Sequence, residues 1–267
     1  MRGPCLRIAL SLTAMLGGLC LAVAAFGPIP SSLQPGETGR VAQVIDGDSL
    51  RLTSGLVVRL AEIDAPREQP GDPYGAQATA ALRALAAGKT VQLRYGGLRR
   101  DKRGRALAQV FIPGAQPVWL QREMLARGLA RVHTWPDNRA EAQTLLNAEA
   151  TARSARRGLW ASPVYGVRTA DPNHLLRHHR SFQLVEGKVA EVAERRGRIY
   201  LNFGENYRTD FTITVDPAAA RLWSGGPAGL QQLQGKTIRV RGWLSEFNGP
   251  AIRANHPEQI EILRVRN

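Results

Sequence analysis

Two short alternating stretches constrain this chain more than any other feature. They are Val44-Ile-Asp-Gly-Asp-Ser-Leu-Arg-Leu52 and Val58-Arg-Leu-Ala-Glu-Ile-Asp-Ala-Pro66, parted by a turn at Gly55. Apolar residues at alternate positions mark half-buried strands, whose successive side chains point to opposite faces. Asp46, Asp48 and Asp64 fall at strand ends beside turn residues, where the backbone can aim carboxylates at one place, and Arg59 lies on the second strand among them. Carboxylate oxygens suit a hard cation, and a guanidinium suits a phosphate. Asp-Gly-Asp is also what a plain hairpin turn uses, so the rest of the chain has to decide between the two.

The charge points to a polyanion. The 267 residues carry a formal net charge of +14, with an apolar fraction of 43% that is ample for packed cores and argues against a disordered chain. Phospholipid would satisfy the same charge, but nucleic acid is favoured. Arg2 and Arg7 precede an apolar run from Ile8 to Phe26, with Ala22-Val-Ala24 as a small-x-small cleavage candidate. Residues 1–25 therefore read as an export signal, with an uncleaved membrane anchor as the alternative, and the protein is expected to be secreted or periplasmic. Both cysteines, Cys5 and Cys20, lie in this segment. A cysteine nucleophile or a thiolate metal site is thereby excluded from the mature protein.

The remainder divides by composition. Residues 26–39, with Pro28, Pro30 and Pro35, read as a linker. Strands are expected at 40–45, 49–53, 56–63, 90–95 and 106–112, with helices at 76–87, 118–127 and 138–157. Five strands interrupted by helices suggest a small Greek-key barrel of the OB type spanning 40–162. Residues 163–180 read as a second linker; His174 and His178 could share a helical face and hold a metal, but a solvated basic linker is preferred. From 181 to 267 alternation returns, and a second OB-like barrel is expected there. Its aromatics Tyr200, Phe203, Tyr207, Phe211 and Trp243, with Arg198, Arg208, Arg239 and Arg241, could stack bases and hold phosphates, or the rings could simply be core. The fold class is mainly β with helices (α+β): an OB-type five-stranded barrel with packed helices, then a second OB-like barrel.

A set of motifs in order now resembles the thermonuclease (staphylococcal nuclease-like) family. They are Ile45-Asp-Gly-Asp-Ser49, Val58-Arg-Leu60, Ile63-Asp-Ala-Pro66, Tyr74-Gly75, Asp101-Lys-Arg-Gly-Arg105, Gly128-Leu-Ala130 and Gly158-Leu-Trp160. The resemblance implies a Ca²⁺ site made by Asp48, Asp64 and the backbone carbonyl of Ala65, with Asp46 in support. It implies Arg59 and Arg105 on the scissile phosphate, and Tyr74, Lys102 and Trp135 along the bound nucleotide, with His133 nearby. The family's water-activating Glu directly follows the Asp-x-Pro step; here that place is Arg67, and Glu68 one residue later is taken as the general base. The activity implied is Ca²⁺-dependent endonucleolytic hydrolysis of DNA and RNA with little sequence preference. The alternative is a nucleic-acid-binding protein that has lost its base. No protein partner is implied, and a monomer is expected.

Overall fold

The computed structural model describes residues 29–263 and is mixed α+β. The export-signal reading of residues 1–25 lies outside the described residues. Among the described residues no helix is long and apolar enough to cross a membrane.

The first barrel is made by β1 (Gln34–Asp46), β2 (Ser49–Leu52), β3 (Val57–Leu60), β5 (Thr90–Tyr95) and β6 (Ala106–Ile112). Their order is β3-β2-β1-β5-β6, and a parallel pairing of β3 with β6 closes the ring. The inward residues Val44, Leu50, Leu52, Val58, Leu60, Val91, Leu93 and Val110 are all buried, as alternation requires. Helix α1 (Pro73–Ala86) begins with Asp72 accepting from the Tyr74 N–H and buries Ala78, Leu82 and Ala86 against the barrel. Helix α2 (Leu120–Ala126) follows the two-residue strand β7 (Val118–Trp119), and α3 (Ala142–Ser154) packs on α2.

Expected element positions differ from the structure at several places, of which three bear on how the fold is joined. Residues 34–39, read as linker, extend β1 and pair with β5 from Gln34 opposite Tyr95. Pro35 is tolerated in this outer part of the strand, and Gly36 fits because a side chain there would collide with the Tyr95 ring. The third helix begins at Ala142 rather than 138, because Asn138 is held in a bridge with Trp135 and its side chain donates to the Leu98 carbonyl. The second linker is partly ordered: β9 (Arg168–Thr169) joins a sheet beside β10, and α4 (Pro172–Leu176) follows.

The second sheet contains β10 (Phe182–Lys188), β11 (Glu191–Arg195), β12 (Arg198–Asn202), β13 (Thr212–Val215), β14 (Thr237–Glu246) and β15 (Pro250–Ala254), with β16 (Ile260–Ile262) beside β14. β10 and β11 are consecutive pieces of one run, pairing with β14 and then with β12, while β13 pairs with β15 in parallel. This barrel-like circuit repeats that of the first barrel, with the short helices α5 (Pro217–Ala220) and α6 (Gly226–Gln231) lying between β13 and β14 where α1 lies in the first. Phe211 belongs to its core, and Phe203 packs on that core.

The two halves meet over buried polar groups as well as apolar ones. Phe182 and Leu184 join Ala152, Leu159 and Trp160 in one cluster. Beside it, Arg241 is only 1% exposed and makes two 3.0 Å hydrogen bonds to the Glu149 carboxylate of α3, one to the Val132 carbonyl and one to Glu261. His256 meets Thr134 Oγ1 at 2.7 Å, with Asn255 on its other ring nitrogen. Burial, then the nearby Arg139 cation and His133, push the His256 imidazole down from 6.5 to about 4. The unfolded chain therefore takes up this proton before the folded one does, so the contribution to stability is intact above pH 6.5 and is lost as pH falls towards 4. Thermal melts across that window should show a falling melting temperature, and His256→Gln should flatten part of the slope; an unchanged slope removes His256 as a cause.

Candidate active site

The site is built from the turn between β1 and β2. Gly47 is required there because a Cβ would sit 2.6 Å from that of Ala78 on α1 and 2.7 Å from that of Ala65. With no side chain at 47, the turn lies flat between helix and loop and carries Asp48 into the barrel mouth. One Asp48 oxygen accepts from the Ala65 N–H at 2.8 Å; the other accepts from Ser49 Oγ at 3.0 Å and pairs with Arg59 at 2.7 Å. Asp46 Oδ1 receives the Asp48 N–H at 3.1 Å, as in an Asx turn. Burial pushes the Asp48 carboxyl up to about 6, against the pull of Arg59 and with the repulsion of Asp46 added.

Arg59 stands between two acids. Its other η nitrogen reaches Asp64 at 2.9 Å, so one guanidinium spans the carboxylates of β2's entry and of β4 (Ile63–Asp64). β4 is placed by its pairing with β8 (Arg131–Val132), Asp64 opposite Arg131. Between β3 and β4, Glu62 has a left-handed backbone (φ 65°), and its buried carboxylate accepts from Gln109 and from the Glu141 N–H at the start of α3. Burial pushes that carboxyl up to about 7.

Across the mouth, the loop before β6 supplies Arg105. Its Nε donates to Asp101 at 2.7 Å, while the backbone N–H groups of Arg103 and Arg105 donate to the other Asp101 oxygen, a turn closed by Gly104 at φ 76°. Burial opposes the Asp101 charge, but these donors outweigh it and hold the carboxyl below its ordinary value.

These groups line one cleft of about 560 Å³. Asp46, Asp48, Arg59, Asp64, Ala65, Lys102, Arg105 and Trp135 all border it, so most of the residues expected from the sequence are brought together. His133 borders it too, stacked on Trp135 at 4.9 Å and packed on Phe182 of the second sheet at 4.6 Å. Burial, ahead of the nearby charges, pushes its imidazole down to about 4, so it is neutral at pH 7. Two expected residues are elsewhere. Tyr74 turns away to make an edge contact with Tyr165 at 5.6 Å in the cluster between the halves. Glu68 is exposed and is not among the cleft residues, whereas Arg67 is. The Arg67–Glu68 peptide is pressed against Gly75 of α1, where a Cβ would approach to 2.3 Å, and this contact fixes which way the loop turns.

Sequence reasoning missed Ser49, Asp101 and Glu62. Asp101 could have been found, since an Asp four residues before an Arg across a glycine turn is an Asx-type signal; nothing local marks Glu62, whose partners are 47 and 79 residues away.

A hard cation fits the donors present. Asp48, Asp64 and Ala65 border the cleft, and two carboxylates with a backbone carbonyl would suit a hard cation such as Ca²⁺ rather than a thiolate- or imidazole-seeking metal. Among the described residues no group of three or more His, Cys, Asp or Glu side chains is gathered as a metal site. His174 and His178 lie with ring centroids 5.2 Å apart, without a third such ligand.

A barrel whose mouth joins paired acids to facing arginines defines a phosphate-handling protein. The family model described as "Staphylococcal nuclease homologue" matches residues 57–162. An "uncharacterized endonuclease" of Escherichia coli O157:H7 is 36% identical over 131 residues, covering 47% of this chain and 80% of that protein. A thermonuclease of Staphylococcus hyicus is 28% identical over 138 residues, covering 47% of this chain and 77% of its own. The chain belongs to the staphylococcal nuclease family.

Proposed function

We propose that the protein is an exported, Ca²⁺-dependent endonuclease, monomeric, which hydrolyses phosphodiester bonds of DNA and RNA with little sequence preference. The observation that carries this reading is the cleft in which Arg59, paired to Asp48 and Asp64, faces Arg105 and Lys102. The nuclease names of its relatives support it. The export part rests on the composition of residues 1–25.

Asp48, Asp64 and the Ala65 carbonyl would hold the cation. When bound, Ca²⁺ supplies positive charge that stabilises the phosphate as negative charge develops on its oxygens. Arg59 and Arg105 bind those oxygens and strengthen their hold as charge builds up, which lowers the barrier rather than merely tightening binding. Lys102 and Arg103 at the exposed rim draw in the polyanion, and Trp135 offers a face to a base. A water oxygen forms the new bond to phosphorus, one ester P–O bond breaks, and a proton passes to the departing oxygen.

The base is the open part of this reading. Glu68 can accept the water's proton only if the loop at Arg67–Glu68 turns inward, so Glu68→Gln is expected to slow cleavage by less than the roughly 10²–10⁴-fold typical of a fixed general base. A loss as large as that range would show that the loop does close over the substrate.

Plasmid and RNA degradation, with Ca²⁺ or with a chelator, test the whole proposal. Cleavage should vanish on chelation and in Asp48→Ala, and activity indifferent to both would sink the Ca²⁺ mechanism. The presence of Arg67 at the cleft, where a cation opposes another cation, favours a second reading as a nucleic-acid binder without catalysis. Tight binding by the wild type, with no cleavage under any condition, is the result that reading requires.

A further inference from the structure

Away from the cleft, the outer face of the second sheet forms a groove of about 410 Å³ that no part of the cleavage reaction uses. Alternation along β12 sends Ile199 and Leu201 into the core and Tyr200 and Asn202 outward; along β13 it sends Ile213 and Val215 inward and Thr214 outward. Two loops raise aromatic walls on this floor. Tyr207, in the loop between β12 and β13, is 56% exposed, and Phe247, in the loop between β14 and β15, is 69% exposed.

These rings are exposed although their loops are fixed. The Phe247 N–H donates to the Gly249 carbonyl at 2.9 Å, and Gly249 lies so close to Thr209 that a Cβ would stand 2.5 Å from its carbonyl oxygen. The Tyr207 loop is tied in turn by Asp210, whose carboxylate accepts the Asn206 N–H at 2.8 Å. Rigid loops pressed together that still hold two large rings in water suggest a surface formed for a ligand with flat apolar faces.

Charge identifies that ligand. Arg208 lies over the Tyr207 ring at 5.7 Å and Arg195 borders the groove, so two guanidinium groups stand beside its aromatic walls. The one acid in the groove, Glu191, is engaged by the Asn202 amide at 3.4 Å. We propose that this groove binds single-stranded nucleic acid, with unstacked bases lying on Tyr207 and Phe247, hydroxyl and amide groups of the floor facing base edges, and the rim arginines facing phosphates. A duplex offers no free base faces and should not use the walls. The proposal deepens the nuclease reading, on which it rests for the identity of the polymer: a second grip on the strand keeps it bound between cuts.

The test uses the full-length protein. Anisotropy of a labelled oligothymidylate of about 16 nucleotides, and of the matching oligouridylate, is measured in chelator so that nothing is cut. Tyr207→Ala and Phe247→Ala should each raise Kd by about 5–100-fold for one or both strands. Duplex affinity should hardly move, and cleavage of a dinucleotide in Ca²⁺ should stay at the wild-type rate. Both residues are exposed, and an unchanged melting temperature confirms that the variants fold. Wild-type affinity for both strands in the double variant overturns the proposal, and so does an equal loss for duplex, which would mean phosphate contact alone. A wild type that binds but cuts neither plasmid nor RNA in Ca²⁺ refutes the nuclease reading, and the anisotropy arms still decide on the groove.

Discussion

Arg105→Ala is expected to slow phosphodiester cleavage by about 10²–10³-fold while leaving the fold and the affinity for uncut strand nearly unchanged. Its side chain is about one-third exposed and contributes little to any core, so its loss removes a donor rather than packing. The donor matters because it is already aimed. Asp101 holds Nε of Arg105 and its backbone N–H together, so little reorganisation is needed when charge develops on the phosphate. Asp101→Asn should therefore reproduce part of the loss without touching substrate, by releasing the arginine from its turn. Arg59→Ala should be at least as severe, because it also removes the guanidinium that bridges Asp48 and Asp64. Single-turnover rates separate these effects from binding. If Arg105→Ala changed KM but not kcat, the arginine would be a binding residue and the role assigned to it would fall.

The second large effect concerns stability. Arg241→Ala should destabilise the protein by about 3–5 kcal/mol, because it leaves the Glu149 carboxylate buried without its principal partner. Glu149 is held ionised against the cost of burial by Arg241 first and then by Arg153 and the Val132 N–H. The same guanidinium also bonds the Val132 carbonyl, so its loss releases that end of β8 and leaves only the bond from Arg131 to the Phe182 carbonyl at the other. β8 is the strand that places β4 and hence Asp64. Melting temperature should fall by roughly 10 °C for a chain of this size, and activity well below the melting point should fall with it. Replacing Glu149 and Arg241 together by apolar residues should cost less than the sum of the single changes, because no charge is then left unpaired. A single variant that melts within about a degree of wild type would show that the halves do not depend on this pair.

How legible the site was depended on how local its determinants are. Asp48, Arg59 and Asp64 were grouped by local alternation and turn chemistry, whereas Arg105 was singled out only through the resemblance carried by its motif. Tyr74 and Glu68 were placed by analogy in a short motif and loop, and neither is among the residues that border the cleft. Tyr74 finds Tyr165, 91 positions later, and the direction of Glu68 is decided by the contact of the Arg67–Glu68 peptide with Gly75. A loop has no register to carry a pattern, so its side-chain directions follow from what the rest of the fold presses against it.

The sequence by itself determined that alternating strands would close into a barrel, that acids and an arginine would gather at its mouth, and that the folded part would be strongly basic. Alternation and turn residues act over two to five positions, which is why they can be read along the chain. Only the tertiary structure decided that one arginine would bridge Asp48 and Asp64, that Arg241 would reach across to Glu149, and that Tyr207 and Phe247 would stand together over one sheet face. The last two depend on residues 92 and 40 positions apart being brought together, and the first on a turn and two strand ends meeting at the barrel mouth. These meetings are settled by how strands and loops close within each half and, for Arg241 and Glu149, by how the halves pack, and no local pattern encodes them.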